Sequence, residues 1–351
     1  MTRRPQARSL RTSGQCMYAL SRRKEAEVSS KAQELGDSST GSWVAIVEQA
    51  AKGIRRRVLE HSLRNDGGYL SQACSSAEIL STLYIKTMHL GPSVAPVIPA
   101  PFRSVPGSRN SSSPPATGAG YNGTRSPAYD RFFLSPAHYA LVLYAALIET
   151  GRMSEDALAQ FNQDGSVVEM IGAEHSPGFE AMGGALAQTL SLAAGVAWAR
   201  KRFGDTGRVF VFLSDGEFQE GQTWEAIQAM KFFGIDNLIA YVDVNGQQCD
   251  GEMKDVMSIE PVDERIRAFG ATATVVDGHD PKALDAAVGD GLPGMPHFVL
   301  CRTDPCRGVE ILERRRPKLH YLRFASTAEK EEYVRFSLCL QDSARRSGKG
   351  A

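Results

Sequence analysis

The sequence predicts an α/β protein built on a doubly wound, mostly parallel sheet flanked by helices. Two apolar runs carry this reading. Val209-Phe210-Val211-Phe212-Leu213 and Leu238-Ile239-Ala240-Tyr241-Val242 are short and unbroken, as strands buried on both faces must be. Between them, Glu220 to Phe233 places Trp224, Ile227, Met230 and Lys231 at helical spacing, and Gly234 stops the run. Strand, helix, strand at this length is a βαβ unit, and open parallel sheets bind ligands beyond the carboxyl ends of their strands.

The remaining elements follow in chain order. Trp43 to Leu63 is a predicted helix with Val47, Ala50, Ile54 and Val58 at steps of three and four. Ser75 with Glu78 has the pattern of a capping box, opening a helix through Leu80, Leu83 and Tyr84. Ser135-Pro136 starts another helix, which Gly151 ends. Gly183-Gly184 precedes a long apolar helix to Arg202, its amino end suited to an anion. Strands are predicted at Thr272–Val276 and His297–Thr303, and Ser326 with Glu329 repeats the capping box before a final helix. Strands alternating with helices point to the doubly wound class.

Domain organisation is read as one domain over residues 42–340, between a basic extension, 1–41, and a tail, 341–351. In the extension, Arg3, Arg4, Arg8, Arg11, Arg22, Arg23 and Lys24 precede the first acidic residue, Glu25. Its apolar pattern is poor, so it reads as disordered or as translation begun upstream of the true start. An Arg-rich, acid-poor organelle transit peptide over residues 1–24 is the alternative. Residues 91–129, dense in Pro, Ser and Gly, read as a surface insertion without enough apolar surface to order itself.

Composition narrows the function classes. Forty basic residues balance forty acidic ones, which leaves no electrostatic footprint for nucleic acid. No uninterrupted apolar segment reaches the length of a membrane span. Six scattered cysteines contain no Cys-x-x-Cys pair, so reduced thiols and a cytoplasmic location are expected.

The ends of the two apolar runs carry the chemistry. Asp215-Gly216-Glu217 and Asn245-Gly246-Gln247 fall at one sheet edge. Magnesium takes hard oxygen ligands at about 2.0–2.1 Å and shares them between one or two protein groups and phosphate. Asp215 offers charge, Asn245 a neutral oxygen and Gln247 a backbone carbonyl, while Gly216 lets the chain approach a phosphate. Singly, DG and NG are ordinary turn dipeptides; paired at two strand ends, they favour a magnesium diphosphate site over that reading.

Ser214-Asp215-Gly216-Glu217 followed by Asp243-Val244-Asn245-Gly246 resembles the thiamine-diphosphate motif, and the surrounding chain resembles the amino-terminal half of a transketolase. Asp130-Arg131-Phe132-Phe133-Leu134-Ser135-Pro136-Ala137-His138 is similar to that family's DRFxLSxGH segment. Glu174-His175-Ser176-Pro177-Gly178 with Gly183-Gly184-Ala185-Leu186-Ala187-Gln188 is similar to EHxPG…GxLGQ, and Val276-Asp277-Gly278-His279-Asp280 to its DGHD turn. The resemblance covers roughly residues 42 to 335 in five ordered matches.

The resemblance implies thiamine diphosphate and Mg2+ as cofactors. It implies Asp215, Asn245 and the Gln247 carbonyl as metal ligands. His138, Gly184, Leu186, Gly216, Glu217, Asn245 and His279 are then cofactor-binding, and His138 and His279 catalytic. Glu220 reads equally as part of a subunit-contact motif and as a carboxylate favoured at a helix start. In the family a second, pyrimidine-binding domain completes the site. This chain ends at Ala351 without room for one, so a separate carboxy-terminal transketolase-like subunit in an α2β2 assembly is expected, with a small-molecule substrate and no activity of the chain alone. Tyr69 and Gly172 stand where many transketolases carry histidines, and Ser214, Ala137 and Ala187 where they carry glycines. The expected activity is transfer of a two-carbon ketol unit from a ketose-type donor to an aldehyde-type acceptor, with the altered histidine positions leaving open whether that acceptor is the usual pentose phosphate. The alternatives are an acyl-transferring dehydrogenase component, a deoxyxylulose-phosphate-type synthase, or a scaffold without catalysis.

Overall fold

Residues 43–102 and 117–347 are described by the computed structural model; the expectations for residues 1–41 and for 103–116 of the insertion lie outside them. The sheet has five parallel strands: β1 (Arg131–Leu134), β2 (Val209–Ser214), β3 (Leu238–Val244), β4 (Thr272–Asp277) and β5 (His297–Arg302). Their spatial order is β1-β2-β3-β5-β4. Every residue of β2 and β3 is buried, as the apolar runs require. Register sets Val209 against Leu238 and Ser214 against Asp243. The two polar motifs therefore begin level, at one sheet edge.

Helices cover both faces: α1 (Trp43–Arg64), α2 (Leu70–Thr82), α3 (Ala140–Glu149), α4 (Gln188–Phe203), α5 (Gly221–Phe232), α6 (Val262–Ala268), α7 (Pro281–Ala286) and α8 (Thr327–Ser347). Alternation along the strands sorts the core into two. Phe210, Phe212 and Tyr241 pack toward α1, α2 and α3, while Val211, Leu213 and Val242 pack toward α4, α5 and α6. This is the doubly wound arrangement. Among the described residues no helix is long and apolar enough to cross a membrane.

α1 buries Val47, Ala50, Ile54 and Val58 as its periodicity predicts, and also His61. That ring stands edge-on to Phe161 with centroids 4.5 Å apart. Burial, with Arg64 nearby, pushes its pKa down to about 4. An unfolded His61 takes its proton near the ordinary value of about 6.5, so the unfolded state binds more protons between the two values. The stability His61 confers is complete above pH 6.5 and is lost as pH falls toward 4, amounting to about 3 kcal/mol. Urea midpoints at pH 7.5 and pH 5 should lie closer together in His61→Phe than in the parent; an unchanged spacing would exclude His61 as a source of acid sensitivity.

Three sequence expectations are corrected. Ser75 and Glu78 do not open a helix, because α2 begins at Leu70 and both lie inside it. Their side chains turn instead to buried polar partners, Ser75 to Asp243 and Glu78 to Arg55 and His279. The same pattern does cap α8, where Glu329 N–H donates to Ser326 Oγ at 3.2 Å and Ala325 N–H to Glu329 Oε2 at 2.6 Å. Second, the arms of the 91–129 insertion are packed. Gly118 N–H donates to Glu174 O at 2.7 Å, and a Cβ on Gly118 would stand 1.6 Å from Ser176 O. Asn122 is buried between Tyr84 OH, at 2.7 Å, and Gly178 O, at 3.0 Å. Hydrogen bonds and a backbone fit, with Tyr121 buried in the main core, order these arms. Third, α8 continues through residues 341–347, so the helix takes in most of the stretch expected to be a tail.

Candidate active site

The carboxyl ends of β2 and β3 meet directly. Asp215 is 2% exposed, and its Oδ2 accepts the Gly246 N–H at 2.8 Å, joining the two motifs. Asn245 Oδ1 accepts Gln247 N–H at 2.9 Å, and its Nδ2 donates to Asp243 Oδ2 and Tyr139 OH, each at 3.2 Å. Asp243, fully buried, also takes the hydroxyls of Ser75 at 2.5 Å, Tyr139 at 2.8 Å and Thr303 at 2.5 Å. Burial, reinforced by the Asp243 carboxylate, pushes Asp215 up to about 8. Burial raises Asp243 too, against its four donors. The edge thus holds two buried acids whose ionised forms burial disfavours. Beside it, Gln247 Oε1 is buried without a partner, and nothing stands within 4 Å of where a Cβ would lie on Gly216 or Gly246.

These residues open onto a cavity of about 250 Å³, lined by Asp215, Gly216, Asn245, Gln247, His138, Leu186, Glu220 and His320 among others. Six of the sequence-predicted site residues therefore share one space. His138, in the turn before α3, stands 5.0 Å from the His320 ring, centroid to centroid. Burial and His320 push its pKa down to about 3, so it is a neutral imidazole.

Three predicted residues are not in the lining. Gly184 is exposed on the segment leading to α4, with only Ile171 and Met182 near its missing Cβ. Glu217 points into the protein: its carboxylate takes the Ser214 N–H at 2.8 Å, the Ala187 N–H at 3.1 Å and the Ser135 hydroxyl. Burial pushes it up to about 7 against those donors. His279 has both ring nitrogens engaged, Nδ1 with Glu78 Oε2 at 3.0 Å and Nε2 with Asp304 N–H at 2.8 Å.

Other residues were missed. His320 lines the cavity, and its carbonyl is held by Gln72 Nε2 at 2.9 Å. No local pattern marks it. The two-residue antiparallel pairing of Gly67 and Gly68 with Arg323 and Leu322 brings it in. Asp243 was legible as an acid ending an otherwise apolar strand. The two positions that depart from histidine are filled by aromatic rings in different ways. Tyr69 packs against His138, at 5.4 Å between centroids, and His320, at 5.6 Å. At Gly172 a Cβ would stand 2.2 Å from Phe179 Cζ, so that ring fills the space a side chain would take.

A parallel sheet carrying paired acid and amide ends above an open cavity defines a cofactor-binding α/β domain. The family model described as transketolase, thiamine diphosphate binding domain, matches residues 121–309. The transketolase family protein y4mO of Sinorhizobium fredii is 34% identical over 287 residues, covering 81% of this chain and 92% of that protein. The chain belongs to the transketolase family. It is also similar to one of the subunits of the apulose-4-phosphate transketolase of Actinobacillus succinogenes, 28% identical over 278 residues, covering 78% of this chain and 90% of that protein. A transketolase structure from Pichia stipitis shares the fold with a TM-score of 0.61 at 21% identity, over 87% of this chain and 46% of that one. The chain thus spans about half the length of that enzyme.

Proposed function

We propose that this chain is the amino-terminal, cofactor-binding subunit of a two-component transketolase-like enzyme that moves a two-carbon ketol unit from a ketose-type donor to an aldehyde-type acceptor. The observation that carries it is the direct contact of Asp215 with the Asn245-Gly246-Gln247 turn at the mouth of one cavity. The residues there fit Mg2+ and a diphosphate. Asp215 and Asp243 are buried acids that a bound cation would let ionise, Asn245 and Gln247 supply neutral oxygens, and Gly216 and Gly246 leave room for phosphate. Asp215, the Asn245 amide and the Gln247 carbonyl would hold the metal. Gly216, His138 and His320 would face the diphosphate, and Leu186 the cofactor's rings. Bound thiamine diphosphate would supply the nucleophilic carbon. The chain's part is to orient it, neutralise it and keep neutral imidazoles as donors beside it.

The reading of a partner with a pyrimidine-binding domain is supported by the apulose-4-phosphate relative, itself named as one subunit of its enzyme, of which this chain covers nine tenths. Exposed Glu220 at the cavity rim would meet that partner. With Tyr69 and Gly172 at the histidine positions, two donors for a polyhydroxylated acceptor are gone, which favours an acceptor other than a pentose phosphate. The test is to mix the chain with such a partner and supply ketose donors, Mg2+ and thiamine diphosphate. Turnover should require both chains and both cofactors, with ribose 5-phosphate a poor acceptor. Cofactor at 100 times its Kd should stabilise the pair by about 2.7 kcal/mol. Absence of any thermal shift would sink the cofactor reading, and a shift without ketol transfer would favour another thiamine-diphosphate reaction.

A further inference from the structure

We propose that Cys249 is a modification site, a thiol in the cavity wall that a low-molecular-weight disulfide caps reversibly, shutting the cavity to the cofactor. The inference rests on the reading of this cavity as the place of the diphosphate cofactor. Cys249 lines it together with Leu186, Asn245, Gln247, His138 and His320, and is exposed there. The residue stands in a two-residue turn between paired segments, with Gln247 opposite Glu252 and Gln248 opposite Gly251. That hairpin is pinned at three places. Met253 N–H donates to Gly246 O at 2.9 Å, Asp250 N–H to Gln248 Oε1 at 3.0 Å, and Gln248 Nε2 to Gln219 Oε1 at 3.3 Å. Burial pushes the Tyr69 phenol up, and nearby Tyr321 and Cys249 push it further. The thiol therefore lies close to the ring that packs on His138 and His320.

Two observations set this thiol apart. The first is access. Among the described cysteines, Cys74, Cys301 and Cys306 are buried, and burial pushes each of their thiols up, Cys306 to about 12. Thiols held up in this way are poor nucleophiles. Cys339 is exposed but sits on α8, in a groove with Glu310 and Arg335. The second is the wall itself. Gln247 is 8% exposed and lines the same cavity, and its Oε1 has no partner among the described residues. A buried amide oxygen left without a donor is costly, so the wall at this point is shaped to meet a polar occupant. The modification is an exchange. Cys249 Sγ bonds to one sulfur of the disulfide, the S–S bond of the reagent breaks, and its other half leaves as a thiol carrying the Cys249 proton. The adduct then takes the space beside Leu186 and Asn245 that the cofactor needs. A second exchange with a free thiol removes it.

The full chain is treated with glutathione disulfide, freed of excess reagent and mixed with its partner subunit, and adducts are mapped by peptide mass spectrometry. The melting temperature of the pair is then read with and without Mg2+ and thiamine diphosphate. The untreated pair should rise on cofactor addition, the treated pair should not, and dithiothreitol should restore the rise. In Cys249→Ser the rise should be the same before and after treatment, while Cys339→Ser should lose it as the parent does. Iodoacetamide labelling of the untreated pair gives a second readout. Cofactor at about 100 times its Kd should slow labelling of Cys249 by about 10-fold or more, because only about one cavity in 100 is then empty. A parent whose Cys249 takes no adduct, or takes one and still rises on cofactor addition, would overturn the proposal. So would a rise lost on treatment of Cys249→Ser, or labelling of Cys249 at one rate with and without cofactor. An untreated pair that cofactor does not shift would instead remove the cavity reading beneath it.

Discussion

Asp215→Asn is expected to lower turnover of the paired subunits by more than about 100-fold, a loss of roughly 3 kcal/mol or more of transition-state stabilisation, while making the ligand-free chain more stable. The two effects have one cause. Asp215 lies buried beside a second buried carboxylate, and burial with that neighbour pushes it up to about 8. Without a cation, folding holds two acids together at a cost. Asparagine keeps an oxygen for the Gly246 N–H and removes the acid whose ionisation burial opposes, so the ligand-free chain should gain about 1–2 kcal/mol. With the cation, the lost charge is the lost ligand. Melting curves with and without Mg2+ and thiamine diphosphate check both halves: the parent should rise on addition, and the variant should start higher and not move. A variant that melts lower than the parent without ligand would make Asp215 a structural residue and remove the main support for the site.

That trade explains which parts of the molecule were legible in the sequence. β2 and β3 could be read because strands covered on both faces must be apolar throughout, and the first polar residue after each run marks the edge where ligands bind. α1 was legible because the apolar residues of one face pack on α2 and α3 at steps of three and four, although Arg55, Arg57 and His61 are buried as well. What misled is polar chemistry inside the core. Ser75 and Glu78 sit in the middle of a fully buried helix, and their spacing imitates a cap because each is held by a partner far along the chain. His279 is held by Glu78 and Asp304, partners that its motif does not report. His320, which lines the cavity, arrives through a two-residue pairing with the Gly67-Gly68 segment, a contact no local window contains. The arms of the insertion are held by backbone hydrogen bonds, the first to Gly120, Ser154 and Gly165 and the second to Glu174 and Gly178, which composition cannot report.

Glu217→Ala should be the most destabilising of these changes, by about 4 kcal/mol, with or without cofactor. The side chain is completely buried and ties the paired ends of β1 and β2, at Ser135 and Ser214, to the residue before α4, Ala187. Ala187 holds a left-handed conformation, φ 68°, that a non-glycine residue adopts only when its surroundings insist; the hydrogen bond from its N–H to Glu217 is one such constraint. Alanine would strand two buried backbone N–H groups and a hydroxyl, each costing about 1–3 kcal/mol, and leave a cavity. Glutamine would not rescue it fully. Its amide oxygen can serve Ala187 and Ser135, but its NH2 would then face the Ser214 N–H, donor against donor. Urea unfolding of the ligand-free chain should show midpoints in the order parent, Glu217→Gln, Glu217→Ala, at unchanged m-value. An alanine variant within about 1 kcal/mol of the parent would mean that the three segments hold their places unaided and that Glu217 serves the ligand after all.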